Sequence, residues 1–183
     1  MTKESREERK KKVIDVLNKA RSMELQAIYQ YMNQHYNLDD KDYGELAAKI
    51  KLIAVDEMQH AEDFAERIKE LGGEPTTELA DKVVKGQDVK QAFTFDSNLE
   101  DDTVDAYNEF LNVCRENGDS TTSKLFERII DEEQEHLNYF DDVGEHIEEL
   151  GQAYLAKIAG TSSATGLNTQ GFVARQGGGG AEE

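Results

Sequence analysis

Two Glu-x-x-His motifs, Glu57–His60 and Glu133–His136, lie 76 residues apart, and the offset extends beyond them. Glu24 stands 33 residues before Glu57, and Glu100 stands 33 before Glu133. Tyr31 follows Glu24 by seven, as Tyr107 follows Glu100; Phe64 and Phe140 each follow their His by four. A fixed period of this kind marks two copies of one structural unit. The spacing also constrains the shape of that unit. The midpoint of 24 and 57 falls at Asp40/Lys41 and that of 100 and 133 at Glu116/Asn117, both at breaks in a helical apolar pattern. In an antiparallel helix pair, residues equidistant from the turn lie at equal height. Glu24 is therefore expected to face Glu57 and His60, and Glu100 to face Glu133 and His136, since i and i+3 share a helix face. Packing two such pairs with apolar faces inward brings four carboxylates and two imidazoles to mid-bundle.

Apolar residues at helical spacing predict helices over about Glu7–Tyr36, Tyr43–Leu71, Lys90–Asn117 and Ser120–Leu150. The segment 37–44 is read as the first break, and an irregularity is allowed for near Thr94–Asp96. Gly72-Gly73 followed by Pro75 ends the second helix. Asp119 or Ser120 is a candidate N-cap of the fourth. Gly151 interrupts the pattern, and 152–159 make a short fifth helix. Residues 73–89 carry no period and are read as a long crossover; at roughly 3.3 Å per residue they reach about 55 Å, the length of a helix of over about 30 residues. The expected fold is all-α: a four-helix bundle with one crossover between helices 2 and 3 and a short C-terminal helix. Residues 1–159 are read as one domain. Seven of the 14 Gly lie in 160–183 with Ser, Thr and a GGGG run, so this stretch is expected to be a disordered tail.

Charge narrows the function. With 39 Asp+Glu against 21 Lys+Arg, the net charge of −18 excludes a general nucleic-acid binder, which needs cationic surface. No apolar run of 18 or more exists, so no membrane span is expected. The start, MTKESREERKKK, does not read as a secretory signal. Cys114 is the only cysteine, so an intrachain disulfide is excluded and a cytoplasmic setting is the default.

The duplicated cluster calls for cations. Four buried carboxylates repel one another and resist losing water. Two divalent ions supply four positive charges against four negative ones, and neutral imidazoles complete the shell. Carboxylate and imidazole donors suit iron or manganese better than a metal that seeks thiolate.

At these residues the chain resembles the ferritin-like di-metal bundles, which take a Glu from each of two helices and Glu-x-x-His from the other two. More narrowly it resembles the bacterioferritins, in particular those of anaerobic sulfate reducers. The resemblance lies in MELQAIYQYM (23–32), AVDEMQHAEDFAERI (54–68) and IIDEEQEHLNYF (129–140), and spans about residues 8–160. It implies Glu24, Glu57, His60, Glu100, Glu133 and His136 as ligands of two iron ions per subunit. It implies a hollow shell of 24 subunits, built from dimers, that stores ferric mineral. The implied activity is that of a ferroxidase, oxidising Fe(II) with O2 or H2O2, with an unidentified electron donor for release.

Met58 breaks the repeat, since its counterpart is Gln134. One residue past Glu57 it lies about 100° around the helix and points out of the bundle. On residue type alone such a Met is an interface packer. The resemblance implies that it is the axial ligand of a haem, or another iron porphyrin, shared between two subunits across a two-fold contact. Tyr31 matches a family tyrosine near the metals, where it hydrogen-bonds a ligand carboxylate, passes an electron or simply packs. Tyr107 is read as core; Cys114, His35 and His146 are read as packing or surface residues. Some family members carry a further inner-surface iron site from a His and an Asp one turn apart, but here Leu52 stands with Asp56, and the pattern is incomplete. Alternatives with the same bundle are a rubrerythrin-like peroxide reductase, disfavoured by the single Cys, and a haem electron-transfer assembly without storage, disfavoured by the intact ligand set. A DNA-protecting miniferritin is disfavoured by the acidic charge.

Overall fold

A computed structural model describes residues 5–166 and 169–176. Four long helices, α1 (Arg6–Asp40), α2 (Gly44–Glu70), α3 (Val89–Glu116) and α4 (Ser120–Leu150), are followed by two short ones, α5 (Gln152–Ile158) and α6 (Phe172–Gln176). The all-α four-helix architecture with a short C-terminal helix is as expected from the repeat. α1 packs along α2 and α3 along α4, so each copy of the repeat is one helical hairpin.

Local chemistry sets the helix ends. Ser5 and Glu8 form a capping box at α1, and Asp88 with Gln91 forms one at α3. Asp119, one of the two candidates, caps α4 by accepting from the Thr122 N–H at 2.9 Å. Gly72, at φ 77°, lets the chain leave α2: the Gly73 N–H reaches back to the Ile68 carbonyl at 2.8 Å. Two details differ from expectation. α1 continues through 37–40 because Leu38 is buried in the core and the Asn37 amide donates to the Asn33 carbonyl. α3 passes through Thr94–Asp96 without interruption.

The crossover runs extended along α1 and is pinned to it at successive turns. The Asn18 side chain exchanges hydrogen bonds with Glu74 and Thr76, Arg21 donates to the Thr76 carbonyl, and Gln30 pairs with both backbone groups of Val84. At the turn between α3 and α4, the Arg67 guanidinium donates to both carboxylate oxygens of Asp119 at 2.9 and 3.0 Å and to Thr122. This contact ties the end of one hairpin to the bend of the other.

The core falls into two apolar clusters. One gathers Ala27, Tyr31, Ile50, Ile53, Phe93, Phe140 and Ile147; the other gathers Leu17, Ala20, Phe64, Ile68, Tyr107, Phe126 and Ile129. Along every long helix buried acids and imidazoles fall between the two clusters: Glu24, Glu57 with His60, Glu100, and Glu133 with His136. A charged layer thus divides the hydrophobic core, and the apolar residues above and below it exclude water.

The stretch from 160 was expected to be a disordered tail. Of it, 167–168 and 177–183 lie outside the described residues. The described part runs back along α2. The Gly160 N–H donates to the Asp42 carbonyl, Thr161 bridges to Tyr43, and its hydroxyl accepts from the Glu45 N–H at 2.8 Å. Phe172 then joins the first core cluster. One aromatic anchor in an otherwise Gly- and Ser-rich stretch gives it apolar surface to bury, which average composition does not register.

Candidate metal centre

Glu24, Glu57, His60, Glu100, Glu133 and His136 converge in the dividing layer, none more than 2% exposed. Their donor atoms form two overlapping sets: Glu24, Glu57, His60 and Glu133, and Glu57, Glu100, Glu133 and His136, each within 4.8 Å. Glu57 and Glu133 belong to both. The arrangement is thus two four-residue cages with two carboxylates in common, each completed by one further Glu and one His.

Each imidazole turns Nδ1 inward. His60 Nδ1 is 3.0 Å from Glu57 Oε2 and 2.9 Å from Glu133 Oε1; His136 Nδ1 is 3.2 Å from both Glu57 Oε1 and Glu133 Oε2. Their Nε2 atoms face outward to carboxylates: His60 to Glu132 at 2.8 Å, and His136 to Asp56 at 3.2 Å. A hydrogen bond at Nε2 fixes the tautomer that leaves Nδ1 free as a ligand. Asp56 and Glu132 were not singled out as supports of the site, although the 76-residue offset relates them to each other.

The tyrosines cross over in the same manner. Tyr31, from the first hairpin, donates to Glu100 of the second, and Tyr107 donates to Glu24. Tyr31 also packs on Phe140, with ring centroids 5.5 Å apart. Tyr107 sits in the core as read from sequence, but its hydroxyl has a second task there; its position seven residues after Glu100 was the signal. His35 is buried, its Nδ1 2.8 Å from the Ala47 carbonyl, while His146 stacks on Tyr154 and Cys114 is buried with its thiol pushed up to about 12 by burial. None of these three reaches the cluster.

Electrostatics show why the cluster could take cations. Burial, then the negative Glu133 and Glu57, push the Glu24 and Glu100 carboxyls well above the carboxylate range. Burial pushes Glu57 and Glu133 up too, but the imidazoles outweigh it and hold both low. Burial likewise opposes a charge on His60 and His136, yet Glu133 beside the first and Glu57 beside the second, with their hydrogen bonds, raise both well above the usual range. Without ions the surroundings thus favour the protonated forms of Glu24, Glu100 and the two imidazoles. Two further atoms show what the geometry is made for. Among the described residues Glu57 Oε1 and Glu133 Oε1 are buried without an aligned hydrogen bond, each touching only an imidazole Nδ1, at 3.2 Å and 2.9 Å, which leaves lone pairs to meet an ion. The donor set fits two hard or borderline ions such as iron.

Met58 lies outside this layer, 57% exposed on the outer face of α2. Among the described residues no helix is long and apolar enough to cross a membrane.

Comparison with known proteins agrees with this geometry. Residues 14–152 match the Ferritin family, described as a ferritin-like domain. The bacterioferritin of Desulfovibrio desulfuricans is 65% identical over 169 residues, which cover 92% of this chain and 94% of that protein. The bacterioferritin of Mycobacterium bovis is 33% identical over 140 residues, 76% of this chain and 88% of that one. The X-ray structure of the D. desulfuricans protein, which describes its diiron site in different catalytic states, superposes with a TM-score of 0.90 at 64% identity and covers 93% of this chain and 99% of that chain. The M. tuberculosis bacterioferritin superposes with a TM-score of 0.77 at 32% identity, over 80% of this chain and 93% of that chain.

Proposed function

The chain belongs to the bacterioferritins, within the ferritin-like domain family, and we propose that its two overlapping cages are a ferroxidase centre serving iron storage. The observation that carries this reading is the sharing of Glu57 and Glu133 between both donor sets. Carboxylates common to both donor sets would hold two ions as one unit, so that two electrons could leave together. Iron bound there supplies the redox chemistry, each Fe(II) giving one electron to O2 or H2O2.

The side chains do the rest. Glu24 and His60 close one cage, Glu100 and His136 the other. Glu132 and Asp56 aim the imidazoles, and Tyr107 and Tyr31 orient the outer carboxylates. Glu24, Glu100 and the imidazoles favour their protonated forms without ions, so ions would compete with protons for them and loading is expected to strengthen as pH rises. The apolar clusters on either side keep bulk water from the ions.

The protein is further read as a subunit of a 24-mer built from dimers and working in the cytoplasm. Met58 is read as the axial ligand of a haem, or another iron porphyrin, shared between two subunits. Its thioether fits that role by standing exposed on an outward helix face, where a two-fold contact would bring a second copy opposite. An electron donor acting through this group would return stored iron to Fe(II).

Size-exclusion chromatography during aerobic Fe(II) loading tests the storage reading. A large shell taking up hundreds of irons is the expected result; a dimer that stops at two irons per chain would replace storage with redox catalysis alone. For the porphyrin, iron-replete expression is expected to give a Soret band that Met58→Leu abolishes and Gln134→Leu leaves intact.

A further inference from the structure

One carboxylate oxygen joins the metal centre to the C-terminal segment. Asp56 Oδ2 accepts from His136 Nε2 at 3.2 Å and from the backbone N–H of Val173 at 3.0 Å. On the other side of that carboxylate, Gly171 approaches so closely that a Cβ there would lie 1.5 Å from Asp56 Oδ1. Between them Phe172 is 2% exposed; its ring meets the His136 ring nearly edge-on, with centroids 6.0 Å apart, and lies 5.1 Å from Tyr139. The Lys49 ammonium stands 5.3 Å over the same ring, a cation–π contact that closes the outer side. Arg175 donates to the Thr165 carbonyl and folds the segment back on itself.

We propose that Gly171–Val173 is a strap belonging to the metal centre: it clamps Asp56, and through Asp56 positions His136 as a ligand of one of the two ions. Leu52 is buried one turn before Asp56, so the Asp56 carboxylate is engaged with the strap rather than paired with a second imidazole. The other imidazole has no need of a strap, since Glu132 is held from its own helix by Arg128 at 2.9 Å. The strap acts on one cage only and rests on the two-ion reading given above.

The assembled full-length protein and Co(II) provide the test. The chain has no Trp, so Phe172→Trp installs a single reporter. Its emission is expected to be that of a buried indole, poorly reached by iodide and quenched as Co(II) loads. Adding Gly171→Val is expected to expel the segment and shift the emission to that of a solvated indole. In Co(II) titrations, wild type is expected to bind two ions per chain. Gly171→Val and a chain ending at Gln170 are both expected to bind one ion as before and the other about 10-fold more weakly, the scale on which lost support of a ligand acts. An indole at 172 open to iodide, or two undiminished Co(II) affinities in both strap variants, would overturn the strap while leaving the centre standing. Failure of wild type itself to bind two Co(II) would instead overturn the two-ion reading.

Discussion

His60 and His136 hold equivalent places, each with Nδ1 toward the shared carboxylates and Nε2 toward an acidic residue of the opposite hairpin, yet what stands behind them differs. Behind His60 is Glu132, paired with Arg128, which also reaches Asp63 of α2. Behind His136 is Asp56, held by backbone from beyond the repeat. The six cluster residues match residue for residue between the hairpins, as two like ions would ask of each. The supports need only carry a negative charge to the right place, and two different constructions meet that need. A second divergence lies deeper. Ala20 of the first hairpin corresponds to Asp96 of the second, so an apolar wall near Tyr107 is matched by a buried acid on the Tyr31 side.

The sharpest way to probe the equivalence is through the carboxylates. Glu133→Ala removes a donor from both cages, whereas Glu100→Ala removes one from a single cage. Glu133→Ala is expected to abolish tight Co(II) binding altogether and to slow Fe(II) oxidation by more than the ~100-fold upper end of losing a ligand's support. Glu100→Ala is expected to retain one Co(II) per chain. Equal stoichiometry in the two variants would show that the cages do not share a carboxylate.

The legibility of the centre follows the same division. The six cluster residues recur in kind, so a period count brings all six together. Tyr31 and Tyr107 recur too, and the hydroxyl contact of Tyr107 was as readable as that of Tyr31. Asp56 and Glu132 differ in residue type, and an acidic chain offers many such pairs; only their contacts to the imidazoles single them out. Phe172 lies outside the repeat, in a stretch whose Gly and Ser content suggests no structure. The helices were legible from apolar spacing, and their ends less so: Asn37 to Asp40 read as a break until Leu38 is seen to be buried.

The tyrosines give the next test. Each donates one hydrogen bond to an outer carboxylate, and both hydroxyls stay protonated because burial and the neighbouring acids push their titration far up. Loss of one such bond is worth about 1 kcal/mol, or roughly fivefold in affinity. Tyr31→Phe is expected to weaken the ion held by Glu100, and Tyr107→Phe the ion held by Glu24, to that same extent. Stopped-flow oxidation under saturating Fe(II) then asks a second question. If Tyr31 also passes an electron, its loss slows oxidation where the loss of Tyr107 does not; equal rates leave both as hydrogen-bond donors only.

The Ala20/Asp96 difference predicts the smallest effect, and one that metal does not obscure. Asp96 is fully buried; Gln34 donates to its Oδ1 at 2.7 Å, while among the described residues Oδ2 has no hydrogen-bond partner. Burial raises its carboxyl well above the ordinary value of 3.8, and the Gln34 bond offsets this only in part. The unfolded chain therefore gives up this proton at lower pH than the folded one. Between the two values the folded state binds more protons, so stability falls as pH rises through that window. Asp96→Asn keeps the acceptor for Gln34 and has no proton to lose. In chelator-treated protein, the thermal midpoint of wild type is expected to rise relative to Asp96→Asn as pH is lowered from 7 toward 4, by ~2–4 °C for each kcal/mol recovered. Glu24 and Glu100 titrate in the same direction but are common to both proteins, so the difference isolates Asp96. Parallel midpoints across that range would mean that Asp96 stays ionised, and that the buried acid on the Tyr31 side is compensated by a positive charge rather than by a proton.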